Sequence, residues 1–293
     1  MSDVKPNHGE PAPSSQPVKY RKRGDAHGPA LLEQHVGRLR SSMGAFFPME
    51  QRVVFRGKDL FTDLKNLDWM ELYLFGVSGK RYTPQQMRVL HAMWTHNSYP
   101  DARLWNNRVA ALAGTVRSTA PLAMAAALAV SEAAIYGGAS QLRCSEFLVR
   151  AKQAVDTGAD LETLVRTELK EKRGIGGYGR PIVASDERIP PLMAIVHEQG
   201  LENGAYLKLA FAVEEILKNG RWRWQMNVVA LTAALSNDFG MSPREYYLGA
   251  IPVFLAGMPP GYIEAAAKPT GAVFPLPCRG LAYHGVARRR WRE

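Results

Sequence analysis

Residues 121–135 read PLAMAAALAVSEAAI, the most apolar stretch of the chain. A membrane span needs roughly 20 uninterrupted apolar residues. This stretch is shorter, carries Ser131 and Glu132, and follows Arg117. It reads as a buried helix of a soluble protein. Most of its side chains are small, and 104–114 is Ala-rich as well. Small side chains on both faces of a helix let neighbouring helices approach closely, so these segments point to helix packed on helix.

The rest of the chain carries the same signal. Residues 59–76 place Leu60, Leu64, Leu67, Met70, Tyr73 and Leu74 at helical spacing, with one break near Asn66. Thr83 followed by Pro84 reads as an N-cap and first helical position, opening a helix to about Trp94. Helical patterns follow at 104–114, 121–136, 145–156, 160–171, 190–199, 205–218, 227–239 and 243–256. Gly137 and Gly138 are expected to stop the 121–136 helix. A short amphipathic segment at 31–40 is also expected to be helical. Only 53–57 has β character, or forms a turn. Residues 174–179 (GIGGYG) read as a loop, and the chain is irregular after Pro269.

Charge and cysteine usage bound the function. The chain has 293 residues, 37 basic and 27 acidic, for a net charge of +10. Part of the excess sits near the ends, in KYRKR at 19–23 and RRRWR at 288–292. No nucleic-acid-binding motif accompanies it, so solvated tails are expected, with affinity for a polyanionic ligand at most. Residues 1–28 are rich in Pro, Ser and charge and are expected to be a disordered tail. Two cysteines, Cys144 and Cys278, make no disulfide framework, which fits a reducing cytoplasm. The His and Cys residues are too scattered for a metal site.

Four segments, in order, resemble the citrate synthase family, and most of all its short citryl-CoA lyase-like members. Phe55-Arg56-Gly57-Lys58-Asp59-Leu60 with Asp63-Leu64 is similar to that family's "RGxDI..L". Asn107-Arg108-Val109-Ala110-Ala111, continuing to Tyr136-Gly137-Gly138-Ala139-Ser140, resembles "ARVxAST…GPLHGGAN". Gly176-Gly177-Tyr178-Gly179-Arg180-Pro181 with Asp186-Glu187-Arg188 resembles "GxGHxxY…DPR". Asn227-Val228-Val229, through Asp238-Phe239-Gly240 to Pro260-Gly261, resembles "NVD…DLG…ARTPG". The likeness covers about 55–285. It implies an all-α fold with a large helical domain (29–144, resuming at 241–293) and a smaller one (145–240). The active site would lie in the cleft between them, in a homodimer or a mixed oligomer with a homologue. The chemistry implied joins or splits an acyl-CoA and a 2-oxo acid.

The resemblance also implies roles, and here the chain departs from the pattern. Tyr136 stands where the family has the His that holds the enolate oxygen; a phenol can still donate there. Arg180 replaces a second His and cannot act as an acid near neutral pH. Val229 replaces the Asp base, and Met258 a carboxylate-binding Arg, so packing roles are expected of both. Arg188 matches the "DPR" arginine, if the loop is one residue shorter, and would bind a carboxylate. His96 is the candidate for a further substrate-binding His. Arg279 stands for the arginine the family donates across its dimer. Gly176, Gly177, Tyr178 and Gly179 match the loop that holds the CoA adenine, with Lys172 and Arg173 near enough to meet phosphates. No permanently bound cofactor is expected. Two readings follow: an enzyme on CoA thioesters with a rebuilt site, or a non-catalytic homologue serving as partner subunit or acyl-CoA-binding regulator. A different reaction on a substrate without CoA is a third.

Overall fold

The computed structural model describes residues 36–37, 40–133, 136–180, 185–270, 272, 278–280 and 282–287. The tail at 1–28, the two terminal basic runs, and most of the expected 31–40 helix lie outside them. The chain forms two compact units, Met1–Leu60 and Phe61–Glu293.

In the first unit, β1 (Gly44–Phe47), β2 (Arg52–Phe55) and β3 (Lys58–Asp59) make an antiparallel meander in that order. Val53, Val54 and Phe55 supply the β-formers. The two residues between β2 and β3, Arg56 and Gly57, both take positive φ (47° and 76°), as a two-residue hairpin turn requires. This corrects the helical reading of 59–66. Asp59 is in a strand, and Phe61 to Asn66 form turns with Leu64 buried. The helix starts only at Trp69, because Asp68 accepts from the Glu71 N–H while Glu71 accepts from the Asp68 N–H, which fixes a start there.

The second unit is helical. Its elements are α1 (Trp69–Ser78), α2 (Pro84–Asn97), α3 (Trp105–Thr115), α4 (Ala120–Val130), the two-residue strands β4 (Glu132–Ala133) and β5 (Tyr136–Gly137), α5 (Gly138–Asp156), α6 (Leu161–Lys172), α7 (Ile189–Glu198), α8 (Ala205–Asn219), α9 (Val228–Asp238), α10 (Pro243–Gly249), α11 (Ile251–Leu255), α12 (Met258–Ala267) and a 3-10 turn at Cys278–Gly280. Thr83 caps α2 as expected, in a capping box with Gln86. No helix among the described residues is long and apolar enough to cross a membrane.

Three expectations need correction. The 121–136 helix ends at Val130, and a small antiparallel hairpin follows, pairing Glu132 with Gly137 and Ala133 with Tyr136. Gly137 (φ 78°) closes that hairpin rather than stopping a helix; a Cβ there would strike the Ser131 carbonyl. The 243–256 segment is two helices, divided at Ala250, with Pro252 opening the second. Finally, α12 was hidden in the sequence by Pro259, Pro260 and Gly261. The prolines sit in its first turn, where a missing N–H costs nothing.

Two hydrophobic cores organise this unit. The main one joins α1 and α2 to α5 through α10, with Val89, Leu148, Leu192, Val213 and Leu231 fully buried. The residues expected in the large domain before 144 thus share a core with those at 145–240. The second is small: Ala110, Ala127 and Met258, where α3, α4 and α12 pack together.

Candidate functional site

The loop before α7, Ser185-Asp186-Glu187-Arg188, builds the site. The Asp186 carboxylate is fully buried. It accepts from Arg188 Nε (2.8 Å) and Nη2 (2.7 Å), and from the backbone N–H of Val228 (2.9 Å) at the start of α9. Burial works against its charge, but the Arg188 guanidinium and these N–H groups outweigh it and hold the carboxyl below its usual range. Arg188 is thereby fixed. Its Nη1 donates to Asn97 Oδ1 (3.1 Å) at the end of α2, and its guanidinium lies 5.2 Å from the Tyr99 ring centre. These bonds engage three of the five guanidinium N–H groups.

Glu187 points to the other arginine. It accepts from Arg180 Nη1 (2.5 Å) and from the Tyr99 hydroxyl (2.8 Å). The Arg180 guanidinium, with Tyr99 assisting, holds Glu187 down to about 2. Arg180 also donates to the Ser185 carbonyl. Two arginines and two carboxylates thus form a charge-balanced cluster around Tyr99. Burial, then the hydrogen bond to Glu187, raises the Tyr99 phenol above its ordinary value.

Tyr136 approaches from β5. Its hydroxyl donates to Asn106 Oδ1 (3.0 Å), and its ring packs edge-on against Trp105 (5.0 Å) and Phe254 (6.3 Å). Burial raises its pKa, and the Arg188 charge acts in the opposite sense, so the arginine lies within electrostatic reach of the phenol. The phenol stays protonated at neutral pH and is a donor. To serve a ligand it must exchange Asn106 for the ligand's oxygen.

The remaining candidates separate. His96 lies in the last turn of α2 beside Asn97, half-buried, and its Nδ1 has no partner among the described residues. Arg279 is exposed in the 3-10 turn, and no described contact brings it to the cluster. Val229 packs on the main core and Met258 fills the second, so both act as packing residues. The glycine loop is packed inward. A Cβ at Gly176 would lie 2.7 Å from the Ser140 carbonyl, and Tyr178 is buried with its hydroxyl on the Ala210 carbonyl (2.9 Å). Gly179 (φ 80°) sits over the Trp224 indole. A ligand would meet the loop's backbone edge rather than these side chains.

Sequence reading missed Asn97, Tyr99 and Asn106 as parts of the site. Asp186 two residues before Arg188 was the available signal, since that spacing lets a loop carboxylate close on its own arginine. The partners from 97–106 are distant in sequence and gave none.

No protein-family profile and no curated protein sequence matches the chain. Solved structures do. The citryl-CoA lyase from Hydrogenobacter thermophilus superposes with a TM-score of 0.75 at 19% identity, over 87% of this chain and 97% of that one. An ATP citrate lyase from Methanothrix soehngenii, in complex with citrate and coenzyme A, gives 0.68 at 16% identity, over 96% of this chain and 46% of its own. The citrate synthase from Thermoplasma acidophilum, in a ternary complex with carboxymethyl coenzyme A and oxaloacetate, gives 0.57 at 16% identity, over 77% and 59%. The chain has the mainly helical citrate synthase-type fold that the resemblance implied.

Proposed function

We propose that this protein acts on an acyl-CoA and a 2-oxo acid, making or breaking the carbon–carbon bond between them in a rebuilt site. The observation that carries the reading is Arg188, locked in place by Asp186 and Asn97, with a charge that acts to lower the Tyr136 pKa. A fixed guanidinium with unspent N–H groups suits a carboxylate. A half-buried phenol suits the oxygen of a thioester enolate. In the condensing direction, the thioester α-carbon loses a proton and attacks the ketone carbon, whose oxygen takes up a proton; water then cleaves the thioester, leaving a carboxylate and the free CoA thiol. Arg188 would hold the oxo acid's carboxylate, with His96 and Arg279 as further substrate-binding groups. Tyr136 would donate to the enolate oxygen, and Arg180 would polarise. Neither arginine can take the α-proton, and Val229 has no proton chemistry. That proton goes to a partner-subunit residue, a water or the substrate itself. CoA would lie along the backbone of Gly176, Gly177, Tyr178 and Gly179, with Lys172 and Arg173 for its phosphates. Closure of two lobes divided at about 145 and 240, and a cytoplasmic location, belong to the same reading.

Calorimetric titration tests it. Coenzyme A and acetyl-CoA should bind saturably, with Kd on the order of 10–100 μM, the range of ordinary enzyme substrates. No binding heat up to about 1 mM would remove CoA from the account. A second reading has its own observation: the Arg180 and Arg188 charges are already balanced by Glu187 and Asp186. A non-catalytic homologue, pairing with an active one or sensing acyl-CoA, would need no free charge there. Binding without turnover favours it.

The same proposal includes a homodimer. No side chain of α4 is polar, yet Leu122, Ala125, Ala126, Ala129 and Val130 face outward at spacings of three and four. Leu122 is 65% exposed, and Ile263 of α12 is 66% exposed. A continuous apolar stripe of this kind marks an interface. Sedimentation should give twice the chain mass, and Leu122→Glu with Ile263→Glu should give the monomer. A monomeric wild-type protein contradicts this.

A further inference from the structure

The main core carries a half-open pocket of about 60 Å³ formed by α1, α2, α5, α9, α10 and α11. Trp69 on its wall is 54% exposed. No charged side chain lines the pocket, and Met70, Leu74, Leu90, Met93 and Val253 form much of the wall. The polar groups there are spent or shut away. Thr232 pairs with the Tyr246 hydroxyl (2.8 Å), and the Tyr73 hydroxyl donates to the Leu248 carbonyl (2.7 Å). Trp94 Nε1, Gln141 Oε1 and Ser236 Oγ are buried too deeply to face the open space. Such a wall favours aliphatic carbon over a polar or charged group.

The pocket adjoins the arginine and the phenol of the candidate site. Asn97, on its wall, accepts from Arg188 Nη1 (3.1 Å) and donates to the Met93 carbonyl (2.7 Å). Val253, also on the wall, is followed in α11 by Phe254, whose ring packs edge-on against Tyr136. A molecule held by Arg188 and Tyr136 therefore has an apolar recess beside it. The cluster offers no second cation to match. Arg188 already faces Asp186, and Arg180 already faces Glu187. A second carboxylate on the same ligand would meet no unbalanced arginine there, and burying it unpaired is costly. Size limits the occupant as well: about 10–15 Å³ holds one water, so 60 Å³ suits roughly four carbon atoms.

We infer that the 2-oxo acid is a monocarboxylate with a short aliphatic side chain. Its carboxylate lies on Arg188 and its side chain enters this pocket. The inference rests on the proposed reading of Arg188 and names the substrate class for it. Each carbon buried there tightens binding about fourfold, until the pocket is full at about four carbons. Leu90 and Val253 are then specificity-determining residues, because the room between such wall side chains sets how long a side chain the acid can carry.

Calorimetric titration of the full-length protein with 2-oxo acids, in the absence of CoA, reads this directly. Pyruvate, then the acids with ethyl, isopropyl and isobutyl side chains, should tighten about fourfold per added carbon. Oxaloacetate should bind more weakly than the isobutyl acid. Val253→Phe, and separately Leu90→Phe, narrow the pocket and should each flatten the series, whereas Val253→Ala should move the preference to a longer side chain. Either filling variant suffices if the other fails to fold. The inference is overturned by no binding of any acid, by affinity indifferent to side chain, by oxaloacetate binding tightest, or by a series unmoved in the filling variants. It is also overturned if the same gain follows the acyl chain of the CoA thioester instead of the oxo acid. Failure of the proposed reaction looks different: the acids then bind in the expected order, the pocket assignment stands, and no thiol is released with any of them.

Discussion

Asp186→Ala should cost about 3–5 kcal/mol of folding stability, the range for breaking a buried ion pair from one side. The carboxylate is fully buried and ties together a loop, an arginine and the first turn of α9. Its removal leaves the Arg188 guanidinium, 20% exposed, without its counter-charge, and the Val228 N–H without its acceptor. The loss should carry a pH signature. Asp186 has a folded-state pKa below its ordinary value. Its contribution is therefore complete above the unfolded value of about 3.9 and disappears as pH falls through the lower folded one. Glu187, held down to about 2, acts in the same sense, though its exposure to solvent discounts it. Urea midpoints at neutral pH and at about pH 3 would show the wild type losing stability on acidification and Asp186→Ala losing less. A variant within about 1 kcal/mol of wild type at neutral pH would mean that the buried pair does not hold this loop.

Gly177→Ala should be nearly as damaging, about 2–5 kcal/mol from two sources. The residue has φ 86°, where a side chain is strained by roughly 1–2 kcal/mol. Its Cβ would also lie 2.7 Å from Cys144 Sγ and from Ala230 Cβ and N, so α5 or α9 must yield. Overpacking of that kind typically costs about 1–3 kcal/mol. Gly174→Ala, three residues earlier, is the internal control. Its Cβ would meet nothing within 4 Å, so its thermal midpoint should stay near wild type. Equal effects from the two variants would contradict this account of the loop. These glycines are first of all packing residues, and a CoA-binding role rests on the backbone they shape.

Much of the fold was legible because its signals are local. Thr83-Pro84 announced α2, Asp160 caps α6 by accepting from the Thr163 N–H, and the alanines of α3 and α4 foretold close helix contacts. The failures were local as well. Apolar spacing in 59–66 mimicked a helix until the hairpin turn at Arg56-Gly57 and the Asp68 cap set other boundaries. The prolines of α12 hid a helix that they merely begin. The site was legible only in part. Tyr136, Arg180 and Arg188 stand on motifs, but what holds them does not. Asn106 under Tyr136, and Asn97 and Tyr99 beside Arg188, are joined only by tertiary contact. The charge balance of the cluster, which bears most on function, follows from which carboxylate meets which arginine. Net composition carries no trace of that.

We propose that a phenol and a fixed arginine serve a CoA thioester and a 2-oxo acid. Thiol release from acetyl-CoA, measured across a panel of 2-oxo acids with wild type and Tyr136→Phe side by side, tests it most directly. Release should depend on one of the oxo acids, and kcat should fall about 10²–10³-fold in Tyr136→Phe, the loss expected of an oxyanion donor. Release that is unchanged in Tyr136→Phe, or a wild type that binds coenzyme A and releases no thiol with any of the acids, would contradict it.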